Sequence, residues 1–314
     1  MLTDDYIAYI ASVRRYSPRT QAIYRDVLDR FTAFSGGEVL ASLTPSLLRS
    51  YEVYLMDERK MAPKTVNQHM SVLSGFCRYL MRVGTLSSNP VSLVARPKVP
   101  KRLPLYFREE QLDTYFRNTA YLLEEAYDDP KYLEPRGKRL IIGLLYGAGI
   151  RRAELISLKT GSFDEARGIL RVVGKGDKMR EIPLIPSLCN EISLYLTTVA
   201  STTGGSRTPE APLLVTPKGR PLYPEYVDRT VKGELGGIPG KKSPHVLRHT
   251  LATELLDRGA DLNSIKEMLG HSSLAATQVY THTSVDRLKK VYDNAHPRAK
   301  TGGKHEDERE VPEI

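Results

Sequence analysis

Residues 169–184 read ILRVVGKGDKMREIPL, and this stretch decides the class of fold. Two runs that favour extended backbone, 169–173 and 180–184, flank the sequence Gly174-Lys175-Gly176-Asp177. Glycine and aspartate in a short gap between two such runs are typical of a β-hairpin. Most other periodic stretches have helical spacing, so we predict a mainly α-helical chain with a small antiparallel β-sheet. Residues 212–215 are expected to add a third short strand.

The first hundred residues predict a bundle of about four helices. A polar residue followed by proline is a helix start signal, and it occurs at Ser17-Pro18 and Thr44-Pro45. A third start lies at Pro63-Lys64-Thr65, and a short helix is expected near residues 4–12. We assign residues 1–94 to this N-terminal helical domain.

A basic, proline-rich segment separates this bundle from a longer mixed α+β domain. Residues 95–105, ARPKVPKRLPL, lack an apolar period and are predicted to be a linker. Residues 106–300 are predicted to form the second domain around the hairpin. Its helices are expected near 108–118, 137–146, 186–198, 223–232, 244–258, 262–269, 273–280 and 283–294. Residues 301–314, TGGKHEDEREVPEI, are predicted to be a disordered acidic tail.

The charge of the chain is unevenly distributed. The 46 Lys and Arg against 37 Asp and Glu give a net charge of +9, which divides into +5 on residues 1–100, +7 on residues 101–300 and −3 on the tail. Basic charge on both domains suits a polyanion such as double-stranded DNA held between them. A basic protein with no nucleic-acid partner also fits the charge alone.

The same composition argues against a membrane protein. The longest apolar stretch, residues 140–150, has 11 residues, well short of the ~20 that span a bilayer. The N-terminus carries Asp4 and Asp5 where a secretory signal needs basic residues. We therefore predict a cytoplasmic protein with no membrane partner. Its two cysteines, Cys77 and Cys189, are expected to be buried reduced thiols.

Residues 243–250, SPHVLRHT, place two candidate phosphate ligands on one helix. His245 and Arg248 are three apart and share a face, while Val246 and Leu247 turn toward a core. Fixed Arg and His donors suit the negative charge that develops on an attacked phosphodiester. His245 and His249 also have the spacing of metal ligands, but the chain has no HExxH or CxxC sequence, so a zinc site is less favoured.

Five further residues are candidates for the site. In residues 148–155, AGIRRAEL, Glu154 is placed to orient Arg151, although a surface salt bridge has the same spacing. Lys175 lies between two glycines at the hairpin turn and is able to reach a groove or a leaving oxygen. His271 follows a glycine in LGHSS. Tyr280 ends a short amphipathic stretch nine residues later, but a tyrosine among 18 is most often a packing residue.

In this order and spacing, these segments strongly resemble the tyrosine recombinases, the family of DNA integrases and Xer-type resolvases, over residues 1–300. The resemblance implies catalytic roles for Arg151, Lys175, His245, Arg248, His271 and the nucleophile Tyr280, with Glu154 as the acidic partner of Arg151. Residues 294–299, NAHPRA, are similar to the C-terminus of Xer proteins and favour that branch over phage integrases.

The resemblance also implies a mechanism and partners. Tyr280 is expected to form a 3′-phosphotyrosyl intermediate with DNA, without metal or other cofactor. The partners it implies are double-stranded DNA and a homo- or hetero-tetramer on two DNA sites, in which a helix over 285–295 reaches a neighbouring subunit. That helix packing on its own domain is the alternative.

Three rival functions are left by the sequence. A noncatalytic DNA-binding or architectural protein would keep the two-domain clamp without the chemistry. A type IB topoisomerase uses similar groups to relax supercoils without exchanging partners, and a zinc hydrolase would use the histidines instead. Within the recombinase interpretation, Xer-like chromosome resolution and mobile-element integration or inversion are both open.

Overall fold

The structure is a computed structural model that describes residues 2–37, 43–100, 106–126, 128–174, 177–203 and 207–270. The chain divides into two compact units, residues 1–103 and 104–314. Each unit has its own cluster of buried apolar residues.

The described part of the first unit contains the three helices that the start signals predict and the expected short N-terminal helix. They are α1 Leu2–Ser12, α2 Pro18–Phe34, α3 Pro45–Val53, which continues as a π-helical turn Tyr54–Glu58, and α4 Pro63–Arg82. Ser17 accepts a hydrogen bond from the Thr20 amide at 3.3 Å, and Thr44 accepts one from the Leu47 amide at 3.2 Å. These side chains satisfy amides that the first helical turn leaves unpaired, so α2 and α3 begin at their prolines.

Helix α4 supplies much of the core of this unit. Apolar residues recur along it at helical spacing and are fully buried, among them Val66, Met70, Leu73, Phe76 and Leu80. A short 3₁₀ turn, Pro90–Leu93, packs against the same helix. The amphipathic pattern of the sequence therefore corresponds to a buried stripe.

The start of the predicted linker is bound to α4. Arg96 Nη1 donates to the Asn67 carbonyl and to Ser71 Oγ, both at 2.9 Å, and Asn67 Nδ2 donates to the Pro97 carbonyl at 2.9 Å. Residues 96 and 97 thus belong structurally to the first unit. Residues 101–105 of the linker lie outside the described residues.

The second unit is built around a buried helix. Its helices are α5 Glu109–Asn118, α6 Leu133–Gly147, α7 Arg152–Ser157, α8 Pro186–Thr203, α9 Pro224–Glu234, α10 Pro244–Asp257 and α11 Leu262–Leu269. Helix α6 is buried along residues 139–147 and packs against α8, α9 and α10. It begins four residues earlier than the predicted 137, because Pro135 is tolerated in a first helical turn. The predicted helices at 273–280 and 283–294 lie outside the described residues.

The predicted hairpin is confirmed, but the third strand is elsewhere. An antiparallel sheet has the order β1 Phe163–Asp164, β2 Ile169–Val173 and β3 Met179–Pro183. In β2 and β3, Ile169 pairs with Pro183 and Val173 with Met179. The prediction of a strand at 212–215 was wrong, since that segment makes only isolated bridges at Pro212 and Val215. Pro212 has no amide hydrogen to donate to a ladder.

The structure bears on the expectations that the chain does not span a membrane and that its cysteines are buried thiols. Over the described ranges, no helix is long and apolar enough to cross a membrane. Cys77 and Cys189 are both free thiols. Cys77 is buried as expected, whereas Cys189 is only partly buried.

Buried arginines of α6 hold the chain segments around it. Arg136 donates to the carbonyls of Leu122 at 2.8 Å and Glu125 at 2.6 Å. Arg139 donates to the Phe116 carbonyl at 2.8 Å and forms an ion pair with Glu191 at 3.1 Å. Backbone carbonyls thus accept hydrogen bonds from guanidinium groups that would otherwise be buried without partners.

A buried acid on α10 is linked to α6. The Tyr146 hydroxyl donates to Glu254 Oε2 at 2.5 Å, and Glu254 is 8% exposed. Burial raises the pKa of Glu254 to about 7, against the opposing effect of the Tyr146 hydrogen bond. The folded protein therefore holds a proton here that the unfolded chain releases near its ordinary pKa of 4.5.

Replacing this acid should change how stability depends on pH. A raised pKa contributes stability that is complete below the unfolded value and is lost as pH rises through the folded value. As pH rises from about 5 to about 8, the unsubstituted protein should lose stability that Glu254→Gln keeps. The difference between their free energies of unfolding should therefore change in favour of Glu254→Gln, by about 3 kcal/mol in total. Urea unfolding across this range measures the difference.

Glu234→Gln is the matched control, because Glu234 also accepts a tyrosine hydroxyl, that of Tyr115 at 3.1 Å, but at a half-buried position. It measures the cost of losing an acid that accepts a tyrosine hydroxyl at a less buried position. A pH-independent difference for Glu254→Gln would contradict the assignment.

Candidate active site

Three arginines from separate elements converge on the end of α11. Arg180 Nε donates to the Met268 carbonyl at 3.0 Å, and Arg151 Nη2 donates to the Gly270 carbonyl at 2.6 Å. Arg248 Nη2 donates to the carbonyl between them, that of residue 269. The last carbonyls of a helix carry partial negative charge, which favours cations there. We call Arg151, Arg180 and Arg248, together with the acid Glu154 that binds the first two, the arginine cluster.

Glu154 is the acid at the centre of the cluster. Its Oε1 accepts from Arg151 Nη1 at 2.7 Å and from Arg180 Nη1 at 3.0 Å. Its Oε2 accepts from Arg180 Nη2 at 2.8 Å and from the Arg151 backbone amide at 2.8 Å. Both oxygens therefore have two donors. The contact expected from the spacing of Arg151 and Glu154 is present, and the acid is buried rather than at the surface.

These donors determine the ionisation of Glu154. Burial alone would raise its pKa, but hydrogen bonds from Arg180 and from the Arg151 amide, together with the two guanidinium charges, outweigh burial and lower the pKa to about 2. Glu154 is therefore a carboxylate throughout the physiological range. The cluster has three guanidinium groups against one carboxylate, which leaves an excess of positive charge.

The backbone between α6 and α7 places Arg151. Gly149 adopts a left-handed φ of +60°, and a Cβ there would lie 2.7 Å from Leu269 Cδ2 and 2.8 Å from Leu251 Cδ2. Only glycine fits this turn, which ends α6 and starts α7 within five residues. The Gly149 carbonyl also accepts from Arg248 Nη1 at 2.5 Å, so the same turn positions two arginines.

Arg248 and His245 differ in exposure although they are one helical turn apart on α10. Arg248 is 7% exposed, and burial together with the charge of Arg151 lowers its pKa to about 10, so it stays cationic at neutral pH. His245 is exposed. Val246 and Leu247 are buried, as their position on the predicted helix requires.

The structure also bears on the zinc site that the histidine spacing allowed. In the part of the chain that is described, no group of three His, Cys, Asp or Glu side chains could hold a metal ion.

Arg152, which follows Arg151 in the sequence, is not part of the cluster. It donates to Asp228 on α9 and not to Glu154. The two adjacent arginines thus have separate partners, and Arg151 is the member of the cluster.

Three predicted site residues, Lys175, His271 and Tyr280, lie outside the described residues. The described neighbours of two of them belong to the site. Lys175 follows Gly174, where an added Cβ would lie 3.5 Å from Arg180 Nη1 and 3.7 Å from Glu154 Oε1. His271 follows Gly270, whose carbonyl accepts from Arg151.

Arg180 is the member of the cluster that sequence reasoning missed. It is 5% exposed on β3, whereas Glu181 beside it is half-buried. The available signal was strand alternation, since Arg180 shares a face with the fully buried Ile182. A charged residue at an apolar position of a strand marks a buried ion pair.

A cationic, partly exposed cluster in a mainly helical unit with a small sheet is suited to bind a phosphodiester. Residues 118–287 match the Phage integrase family, and residues 2–83 match the Phage integrase, N-terminal SAM-like domain. The chain therefore belongs to the phage integrase family and is a tyrosine site-specific recombinase.

Relatives and solved structures agree with this membership. Tyrosine recombinase XerC of Chlorobaculum parvum is 34% identical over 321 residues, covering 94% of each chain. Tyrosine recombinase XerC of Pelobacter propionicus is 37% identical over 300 residues, covering 93% of this chain and 94% of the relative. These matches confirm the resemblance found in the sequence and favour a recombinase over the rival functions.

The fold is also shared with recombinases whose structures were solved with DNA. XerH site-specific recombinase bound to palindromic difH substrate, a post-cleavage complex, has a TM-score of 0.65 and 21% identity over 89% of this chain and 81% of that one. Lambda integrase (residues 75–356) bound to DNA has a TM-score of 0.62 and 21% identity over 91% and 95%.

Gly270 completes the cluster because it leaves room for Arg180. Its φ is +65°, and an added Cβ would lie 3.1 Å from Arg180 Nη1 and 3.2 Å from Arg180 Cζ. Gly259, which follows α10, has a φ of +81° but nothing within 4 Å. The two glycines share a backbone conformation and differ in their surroundings.

Gly270→Ala should therefore destabilise the protein more than Gly259→Ala. The control has only the cost of a left-handed alanine, about 1 kcal/mol. The variant at 270 must also displace Arg180, which we expect to add about 1 to 3 kcal/mol. Urea unfolding of both variants measures the two costs, and equal losses would show that the space above Arg180 is not required.

Proposed function

We propose that this chain cuts and rejoins double-stranded DNA at specific sites through a covalent bond to Tyr280. The observation that carries the proposal is the arginine cluster, in which Arg151 and Arg248 are fixed at one helix end with a surplus of positive charge. Family membership supports the recombinase chemistry. No ATP is required, because each phosphodiester bond broken is replaced by another.

In the cleavage step, the Tyr280 oxygen attacks a DNA phosphorus and the bond to the 5′ oxygen breaks. The products are a 3′-phosphotyrosine and a free 5′-hydroxyl. In the second step, the 5′-hydroxyl of a partner strand attacks that phosphotyrosine, re-forms a DNA phosphodiester and releases Tyr280. Covalent catalysis of this kind divides one exchange into two similar displacements.

The remaining residues stabilise charge or transfer protons. Arg151 and Arg248, with His245 and His271, donate to the nonbridging phosphate oxygens as negative charge develops there. A phenol with a pKa near ~10 is mostly neutral at pH 7, and His245 is our candidate to accept its proton. Lys175 protonates the leaving 5′ oxygen.

We assign the DNA contacts to both parts of the chain. Residues 1–94 and residues 106–300 would both bind the duplex, the basic linker 95–105 would join them, and residues 106–300 would catalyse. Net charges of +5 on residues 1–100 and +7 on residues 101–300 support this division. Affinity should then fall steeply with salt, as counterion release requires.

We further propose that the active assembly is a homo- or hetero-tetramer on two DNA sites, joined by a helix over residues 285–295. Strand exchange needs two cleaved duplexes at once, which supports an assembly of four chains. We also propose that the protein acts in the cytoplasm, which is consistent with a double-stranded DNA substrate. Residues 301–314, with a net charge of −3, would stay away from the DNA.

Tyr280→Phe should abolish the covalent adduct, because phenylalanine has no oxygen to attack phosphorus. The target is obtained by sequencing DNA that is covalently trapped on the protein in its own cells. A nicked duplex of that sequence then retains the adduct, which denaturing electrophoresis detects. Tyr121→Phe, at a tyrosine that is 53% exposed, is the control and should react normally.

An adduct formed by Tyr280→Phe would show that another residue is the nucleophile. No adduct from the unsubstituted protein would contradict the proposed function itself.

Lys175→Ala should slow cleavage of ordinary DNA by roughly 100-fold or more, as loss of a general acid does. It should matter little when sulfur replaces the leaving 5′ oxygen, because a thiolate leaves without a proton. Lys178→Ala, in the same hairpin, is the control. Single-turnover rates on both substrates test the role, and equal slowing by Lys175→Ala on both would remove it.

A further inference from the structure

We infer that Arg180 is a positioning residue of the recombination reaction, holding Glu154 so that the carboxylate fixes the Arg151 guanidinium at the phosphate site. The inference rests on the proposed function for the role of Arg151. Arg180 itself is buried behind Glu154, so it acts through that acid and not on DNA.

All three nitrogens of the Arg180 guanidinium are engaged. Nη1 and Nη2 form two parallel hydrogen bonds to the two oxygens of Glu154, at 3.0 and 2.8 Å. Nε donates to the Met268 carbonyl at 3.0 Å. A paired arrangement of this type fixes the plane of a carboxylate as well as its position.

The fixed carboxylate in turn leaves Arg151 little freedom. Arg151 Nη1 is bound to Glu154 Oε1 and its Nη2 to the Gly270 carbonyl, so the guanidinium has two anchors on different elements. Both anchors depend on Arg180, which binds Glu154 directly and binds the end of α11 at Met268. A misplacement of about 1 Å in a catalytic group is enough to cost about 100-fold in rate.

Arg180 also connects the hairpin turn to the cluster. It lies on β3, one residue after the strand begins at Met179. An added Cβ at Gly174, at the other side of the turn, would contact both Arg180 and Glu154. The residue that orients Arg151 is therefore part of the hairpin that carries Lys175.

A purely structural ion pair is available on the same sheet for comparison. Arg171 on β2 donates to Glu181 Oε1 at 3.2 Å and to Asp164 Oδ2 at 2.8 Å, and its side chain is 36% exposed. Arg171→Met removes an arginine-carboxylate pair from the same hairpin without touching Glu154. It is the matched control for Arg180→Met.

The first test compares rates of adduct formation with DNA affinity. Under single turnover at saturating protein, Arg180→Met should slow adduct formation by about 10- to 100-fold, as loss of a group behind a catalytic residue does. Its dissociation constant for the same DNA should stay within about threefold, because the interaction matters in the transition state. Arg171→Met should change neither quantity.

The second test uses pH to separate positioning from a structural role. The charges that face Glu154 are Arg151 next to its own helix, Arg180 on β3 and Arg248 on α10. Without Arg180 the pKa of Glu154 rises, so acidification between about pH 6 and pH 4 should slow Arg180→Met more steeply than it slows the unsubstituted protein. The double variant with Glu154→Gln should lose this additional dependence.

The carboxyl carbon of Glu154, followed by NMR in DNA-free protein, reports the same shift without any catalysis. Circular dichroism tests whether Arg180→Met is folded. If this variant does not fold, Arg180→Lys replaces it in the rate measurement. Lysine keeps the positive charge but cannot form the paired hydrogen bonds to Glu154, so the same rate loss is expected.

A normal adduct rate for the position-180 variant would overturn the inference, and so would a slowed rate of Arg180→Met with no change in the Glu154 titration. Failure of the proposed function is distinguishable, because the unsubstituted protein would then form no adduct at all.

Discussion

The site depends on one electrostatic constraint: three guanidinium groups lie close to a single buried carboxylate, and only two of them bind it directly. Removing a charge from water costs several kcal/mol unless other groups replace its hydration. Glu154 neutralises one positive charge, and four main-chain carbonyls, at Gly149 and at residues 268–270, solvate the others. The carbonyl dipoles leave the excess positive charge in place while making its burial tolerable. An anion that approaches Arg151 therefore meets a guanidinium group that is already oriented and backed by two buried cations.

The same physical device recurs away from the site. On α6, Arg136 binds one carbonyl within the 3₁₀ turn Ala120–Leu123 and one just after it, and Arg139 binds the Phe116 carbonyl near the end of α5. Helix ends leave carbonyls without intrahelical partners, and an arginine satisfies several of them at once. The second unit thus uses buried arginines to join helix ends to its core. The cluster at α11 differs because it includes a partly exposed member, Arg151.

Local patterns predicted the fold better than the site. Helix starts at Pro18 and Pro45 and the hairpin at 169–184 follow from caps, prolines and alternation, which act within a few residues. The contact between Arg151 and Glu154 is likewise local, because the two residues are three positions apart in the sequence. Arg180 was not found, because its partner is 26 residues away and a charged strand residue is ordinarily taken as exposed. The strand expected at 212–215 was wrong for a similar reason, since pairing depends on what lies opposite and not on the segment alone.

The acceptors at the end of α11 have a consequence for how this part of the chain can evolve. All three are backbone oxygens, so replacements along Leu262–Leu269 leave them present, provided that Ile265 and Met268 stay apolar. Inserting or deleting one residue is different, because it rotates a helix end by about 100° and presents the arginines with other atoms. The helix is therefore free to drift in composition but not in length, and lineages that diverge here should differ by substitution alone.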